Sequence, residues 1–280
     1  MLGSDTQAPY RGRTDSLVLA FVNQVHGGLS LVSLPRDLYV YLPGWSMARL
    51  NTAYFWGGID LLVDTLEYNL GVRPNHWALL HLGDFAGLVD ELGGIEVPVS
   101  DPLPNDCGGI PPGEVHMNGA EALCYVRERN TTSDIDRSQR QIEVLNAIFE
   151  RLLRLEALSH IQDWYERYQY TIQTDLALGD LLRLAPTALR VQDAGMSVFH
   201  ISWEQVTPWK IPESGELVLL PQRDNALAVI QRAIDVAYLP KPTSPALELR
   251  LATLAATLTP ALSETANETP APNQTSSPGP

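Results

Sequence analysis

Lysine is nearly missing from this chain. Of 19 basic residues only Lys210 and Lys241 are lysine, so planar guanidinium groups that can grip an anion through two N–H groups supply nearly all the positive charge. A GC-rich genome would produce the same bias. Positive charge is also outnumbered: 33 acids bring the formal net charge to -14, which argues against nucleic acid or a polybasic membrane patch as the main partner. Any anionic ligand must therefore be met by local charge. Cysteine is scarce too. Cys107 and Cys124 form no CxxC metal pair and have no recognisable catalytic histidine partner, leaving a short-loop disulfide and two buried thiols as equal readings. No run reaches the ~20 apolar residues of a membrane span, and Met1-Leu2-Gly3 is no signal peptide. The six histidines lie apart without metal-ligand spacing. No GxSxG, GxxxxGK[ST] or GxGxxG occurs, which removes the common hydrolase, P-loop and dinucleotide signals.

What is present is ample apolar content, 45% over 280 residues, enough for one large packed domain or two small ones. SLVLAFV (16–22) and LSLVSL (29–34) are short apolar runs around a glycine-containing turn, which predicts two core strands of a hairpin. PRDLYVYLPG (35–44) is a proline-bounded extended piece. Beyond Gly57-Gly58, the spacing of Ile59, Leu62, Val63, Leu66 and Leu70, with Gly71 as stop, predicts a helix. HWALLHL (76–82) predicts a strand, DFAGLVDELGG (84–94) a helix, and IEVPV (95–99) an edge strand. This strand–helix–strand order implies α/β layering. Residues 101–118 read as an irregular loop, and the apolar run that follows as a strand delivering Arg127 and Arg129. A long amphipathic helix is expected from Ser138. Downstream, a helix over 174–189 stopping near Pro186, strands at 196–203 and 216–221, and a closing helix at 225–239 precede a Pro/Thr/Ser-rich tail. The main domain is expected over 1–239, with a disordered tail over 240–280.

The chemistry rests on carboxylates and arginines. Asp5 in GSD and Asp15 in RTD, ten positions apart, are candidates to hold a hard divalent ion such as Mg²⁺ or Mn²⁺. Arg36-Asp37 follows the second strand, where side chains converge above a sheet. In YVRERNTTSDIDRSQRQ (125–141), four arginines gather ahead of a helix N-terminus, itself attractive to anions. Singly, each is more often a solvated loop acid or a weak surface ion pair. Together they favour a phosphate or pyrophosphate site.

At this point the chain resembles the LytR-CpsA-Psr family of bacterial cell-wall phosphotransferases. The resemblance runs in family order through GSDTQ, RGRTDSLVLAFVN, LSLVSLPRDLYVYLPG, ARLNTAYFWGGIDLLVDTLE, DFAGLVDELGGIEVPV and NGAEALCYVRERNTTSDIDRSQRQ, densely over about 2–150 and loosely to about 239. It implies a three-layer α/β/α sandwich around a central mixed β-sheet, with a pocket for a polyprenyl tail. It implies transfer of a glycosyl phosphate from a polyprenyl-pyrophosphate-linked anionic glycopolymer, such as a teichoic acid or capsule polymer, to peptidoglycan. Asp5 and Asp15 would hold the metal. Arg13, Arg36, Arg49, Arg127, Arg129, Arg137 and Gln141 would contact the pyrophosphate. Asp37 and Asp134 are candidates for a base, with an arginine-orienting role preferred for Asp134. Two positions depart from the family pattern: Arg49 stands where lysine is usual, and Asp136 where glycine is common. Arg140 matches no role and is expected to be surface charge. The resemblance further implies an N-terminal membrane helix missing from this sequence, and work at the extracytoplasmic face of the cell membrane. A pyrophosphatase acting on the same lipids and a non-catalytic prenyl-pyrophosphate binding module are the rival readings.

Overall fold

In the computed structural model the described residues are 2–4, 12–100, 102–103, 105–128, 134–154, 161–168 and 171–265. The frame is a six-stranded mixed sheet. Its central hairpin is β2 (Thr14–Asn23) and β3 (Gly28–Leu34), antiparallel from Leu17↔Leu34 to Asn23↔Gly28. β1 (Leu2–Ser4) lies antiparallel to β2 and parallel to β6 (Ala78–His81), with a bulge between Gly3 and Ser4 opposite the start of β2. β9 (Ile172–Thr174) and β10 (Ser197–His200) form the two edges, giving the order β10-β3-β2-β1-β6-β9. Alternation in β2 sorts its side chains: Leu17, Leu19 and Phe21 enter one core, while Val18 enters another on the opposite face.

The first face is densely packed. α1 (Ala53–Leu70) and α7 (Arg223–Tyr238) cover it, and Leu62, Leu66, Ala226 and Ile230 join Leu17, Leu19, Val32 and Leu34 in one cluster. α1 begins before the expected glycine pair. Its chain breaks at Gly58, whose φ of 68° and ψ of -154° only glycine adopts cheaply, and it stops at Gly71 in the left-handed region. Near its end Asn69 acts as a strand edge, accepting from Tyr41 N at 3.2 Å and donating to Tyr41 O at 2.8 Å. That holds β4 (Tyr39–Tyr41), which pairs with β5 (Met47–Arg49).

The second face is covered by α4 (Asp134–Arg154), with α6 (Leu178–Ala194) alongside it. Among the described residues the buried cluster here is small: Val18, Leu31 and Ile142, flanked by Leu29, Leu145 and Met196. The other side of α4 packs on α2 (Leu82–Glu91), α3 (Gly119–Arg127) and the hairpin of β7 (Ile95–Val99) with β8 (Gly113–Met117). The remaining elements are α5 (Ile161–Tyr168), the hairpin of β11 (Val206–Lys210) and β12 (Leu217–Pro221), and α8 (Pro245–Thr265).

Several expectations are corrected. The segment read as loop contains β8, because GEVHM finds its partner in β7. The run expected to be a strand before Arg127 is α3, begun by a capping box in which Asn118 Oδ1 accepts from Glu121 N at 3.0 Å and Glu121 accepts from Asn118 N at 2.9 Å. α4 starts at Asp134, four residues earlier than expected. α6 passes through Pro186 to Ala194, because Leu182, Ala185 and Leu189 are buried against Leu247, Leu254 and Leu258 of α8. The tail expected from 240 therefore holds a packed helix over 245–265, and 266–280 lie outside the described residues. Cys107 and Cys124 are disulfide-bonded, tying the loop after β7 to α3.

Candidate functional site

The site gathers where β2 begins and β3 ends, at one edge of the central hairpin. The turn after β3 is pinned by backbone on both sides: Arg36 O accepts from Asn51 N at 3.0 Å, and Asp37 O accepts from Leu219 N at 3.0 Å. So anchored, Arg36 Nη1 reaches Asp15 Oδ1 at 2.6 Å. Asp37 lies between two guanidiniums, 3.6 Å from Arg36 Nε and 3.4 Å from Arg49 Nε. Arg49, at the end of β5, also approaches Glu216 at 3.7 Å and donates to Leu217 O at 3.1 Å. From the opposite layer, Arg137 Nη2 donates to Asp15 O at 3.4 Å. Arg137 is only 2% exposed, so its charge has been moved out of water, which is costly without compensating partners.

Five residues predicted from the sequence, Asp15, Arg36, Asp37, Arg49 and Arg137, thus form one contiguous network. Gln141 stands one turn beyond Arg137 and donates to Val126 O at 3.5 Å, linking α4 to the end of α3. Arg127 closes α3 with an exposed side chain, and Arg13 is exposed just before β2. Asp5 and Arg129 lie outside the described residues, as does the side chain of Asp134.

Arg140 overturns its expectation as surface charge. It is fully buried, donates from Nε to Tyr125 O at 3.0 Å and from Nη2 to Glu128 O at 2.6 Å, and lies 5.8 Å from the centre of the Tyr125 ring. It binds the open carbonyls at the end of α3, where a cation also favours the helix dipole. Beside it, Glu143 accepts from Tyr125 Oη at 2.8 Å and from Ser100 Oγ, whose oxygen accepts from Gln139 at 2.8 Å. Sequence reading missed this network. Its signal was the spacing of Arg140 and Glu143, three apart on a helix next to the clamp arginine.

His200 was also passed over. In register with Ser33 and, through it, Val18, it faces the sparsely packed layer, and burial lowers its pKa while Glu143 opposes that shift. Among the described residues the one triple of His, Cys, Asp or Glu within metal-binding reach is Cys107, Cys124 and Glu128, and its two sulfurs are already spent on each other. Two clefts beside α1 and α7, of about 330 and 480 Å³, are lined by none of Asp15, Arg36, Asp37, Arg49 and Arg137.

The chain is similar to known proteins of one family. The model of the LytR_cpsA_psr family matches residues 1–231. TagU of Enterococcus faecalis, named a polyisoprenyl-teichoic acid–peptidoglycan teichoic acid transferase, is 34% identical over 191 residues, covering 66% of this chain and 63% of TagU. The chain thus spans a little under two thirds of that relative. A structure of TagT bound to LIIa-WTA is 26% identical with a TM-score of 0.69, covering 85% of this chain and 89% of that one. A structure of TagT with bound octaprenyl pyrophosphate lipid is 25% identical with a TM-score of 0.64, over 85% and 88% of the two chains.

Proposed function

From the premise that the chain belongs to the LytR-CpsA-Psr family, we propose that it transfers a glycosyl phosphate from a polyprenyl-pyrophosphate-linked anionic glycopolymer to peptidoglycan, releasing polyprenyl phosphate. The observation that carries this is the convergence on Asp15 of arginines from both layers: Arg36 on its carboxylate at 2.6 Å and Arg137 on its carbonyl at 3.4 Å. In a chain of net charge -14, guanidiniums held this way are suited to two adjoining phosphates.

Phosphoryl transfer asks mainly for alignment and charge neutralisation. Arg36, Arg49 and Arg137 neutralise the pyrophosphate oxygens, with Arg13 just before β2 and Arg127 at the end of α3 adding charge, and Arg129 is assigned to the same task by its motif alone. Asp37, facing two guanidiniums, aims them at the substrate. Asp134 opens α4 three residues before Arg137 and serves in the same orienting way. Asp15 is a hard oxygen donor at the start of β2, and together with Asp5 of the GSD motif, which lies outside the described residues, it would suit Mg²⁺ or Mn²⁺. Bound there, the metal supplies Lewis-acid stabilisation of phosphate charge. The polyprenyl tail lies along the sparsely packed face, against Val18, Leu29, Leu31, Leu145 and Met196. Work on such a lipid puts the domain at the extracytoplasmic membrane surface.

Incubation with a short-chain prenyl-diphosphate-linked glycan, Mg²⁺ and peptidoglycan fragments tests the reading. A phosphodiester-linked product supports it. Free glycosyl phosphate would make the protein a pyrophosphatase, and bound, unreacted lipid a binding module.

A further inference from the structure

The β4–β5 hairpin ends in a tip that the pyrophosphate site does not use. Leu42 N donates to Ser46 O and Trp45 N to Leu42 O, both at 2.9 Å, with Gly44 at φ 78° making the turn. On this tip Trp45 is 55% exposed and Met47 46%, and beside them at the start of α1 Phe55 and Trp56 are 46% and 50% exposed. The rings form a continuous surface: Trp45 to Trp56 is 5.4 Å between centroids at 37°, and Phe55 stands edge-on to Trp56 at 5.0 Å. Large aromatics left half in water by a fold with ample room to bury them mark a binding surface.

The charge pattern selects the ligand. Residues 42–48 and 50–59 contain no charged side chain, and the two lysines of the chain lie elsewhere in sequence, at 210 and 241. The nearest cation in sequence, Arg49, is engaged by Asp37 and Glu216. A patch built to sit on an anionic bilayer carries basic residues among its apolar ones, and the two segments that bear these rings hold none. What a neutral pair of indoles offers is flat π-faces for C–H groups and N–H donors for hydroxyl or acetamido oxygens, the complement of a pyranose ring. The tip is also near the chemistry: Trp45 is four residues from Arg49, no more than about 13 Å of extended chain.

We infer that Trp45 and Trp56 form a stacking platform for neutral acetamido-sugar rings of the acceptor glycan, with Phe55 and Met47 as its walls. This rests on the transfer reading above, and it gives the acceptor its own subsite, separate from the phosphate clamp. The platform guides the sugar chain so that one hydroxyl arrives at the pyrophosphate.

The probe is an oligomer of N-acetylglucosamine, followed by tryptophan fluorescence and calorimetry on the full chain, with Trp45→Ala, Trp56→Ala and the aromatic replacement Trp45→Tyr. The expected result is binding by the unaltered protein, at least tenfold weaker in both alanine variants and largely kept in Trp45→Tyr. Circular dichroism and Mg²⁺-dependent binding of a prenyl diphosphate should be the same in all four. Equal glycan binding in every variant, or none in the unaltered protein, overturns the platform. So does loss in the alanine variants of binding to phosphatidylglycerol vesicles or of self-association, without any glycan effect. Failure of the unaltered protein to bind prenyl diphosphate would instead strike the transfer reading, which the glycan measurement does not touch.

Discussion

The two faces of the central sheet are built to different standards. Toward α1 and α7, Leu17, Leu19, Val32 and Leu34 sit in a broad buried cluster that takes in both helices, β4 and β12. Toward α4, among the described residues, the same two strands contribute Val18 and Leu31 to a smaller buried cluster with Ile142, and Leu29 packs beside it half-buried. The strands are shared, so strand propensity cannot account for the difference. What differs is the neighbourhood: the second face also carries Ser33, His200 and the approach of Arg137 to Asp15. One face holds the domain together. The other gives up packing and gathers the polar groups that a ligand would meet.

The contrast can be broken first at the clamp. Arg137→Ala is expected to lower transfer by on the order of 10³-fold, with Arg137→Lys recovering little because a point charge does not replace a planar fork. Product analysis with peptidoglycan fragments reads this, and retained transfer in Arg137→Ala would remove the second face from the chemistry. Next come truncations on the two faces. Leu62→Ala, at 1% exposure on the packed face, should cost about 2–5 kcal/mol in urea unfolding. Leu31→Ala on the open face should cost clearly less, yet weaken prenyl diphosphate binding, which Leu62→Ala leaves intact. Equal stability losses would mean the faces are packed alike.

The disulfide offers a third cut. Cys107 and Cys124 are 17 residues apart, so Cys124→Ser should destabilise the chain by roughly 3 kcal/mol. Its effect should centre on α3 and the α4 layer, seen as faster amide exchange there than in α1 and α7. The smallest effect is expected at His200. Its pKa is lowered in the fold by burial, so the unfolded chain takes up the proton first. The stability tied to neutral His200 is complete above its ordinary value of about 6.5 and is lost as pH falls below it. A melting-temperature series from pH 7.5 to 5.5 should therefore fall more steeply in the unaltered protein than in His200→Asn, and parallel curves would show that the open face does not desolvate the ring.

The packed face was the more legible one. Its hairpin, α1 and α7 follow from apolar periodicity, and Gly71 from C-cap chemistry, because each is a local pattern. The site was legible as an ordered set of motifs, and Asp15, Arg36, Asp37, Arg49 and Arg137 do meet in space. What escaped was non-local. β8 is a strand only because β7 lies beside it. Pro186 fails to stop α6 because α8 rewards its continuation with a buried leucine seam. The apolar stretch before Arg127 reads as a strand until the Asn118–Glu121 capping box is given its weight. Arg140 reads as solvent charge unless its spacing to Glu143 is weighed, because only the fold brings it the two carbonyls at the end of α3.

The bond between Cys107 and Cys124 also imposes an order of events. Cytosolic thiols are kept reduced, whereas exported chains are oxidised, so on the proposed reading of work outside the cytosol a newly made chain would travel with α3 not yet fastened to the loop after β7. Fastening would then follow export and add a covalent restraint to the helix that ends at Arg127. The cross-link would act as a stamp of arrival, and protein harvested from a reducing host would lack it.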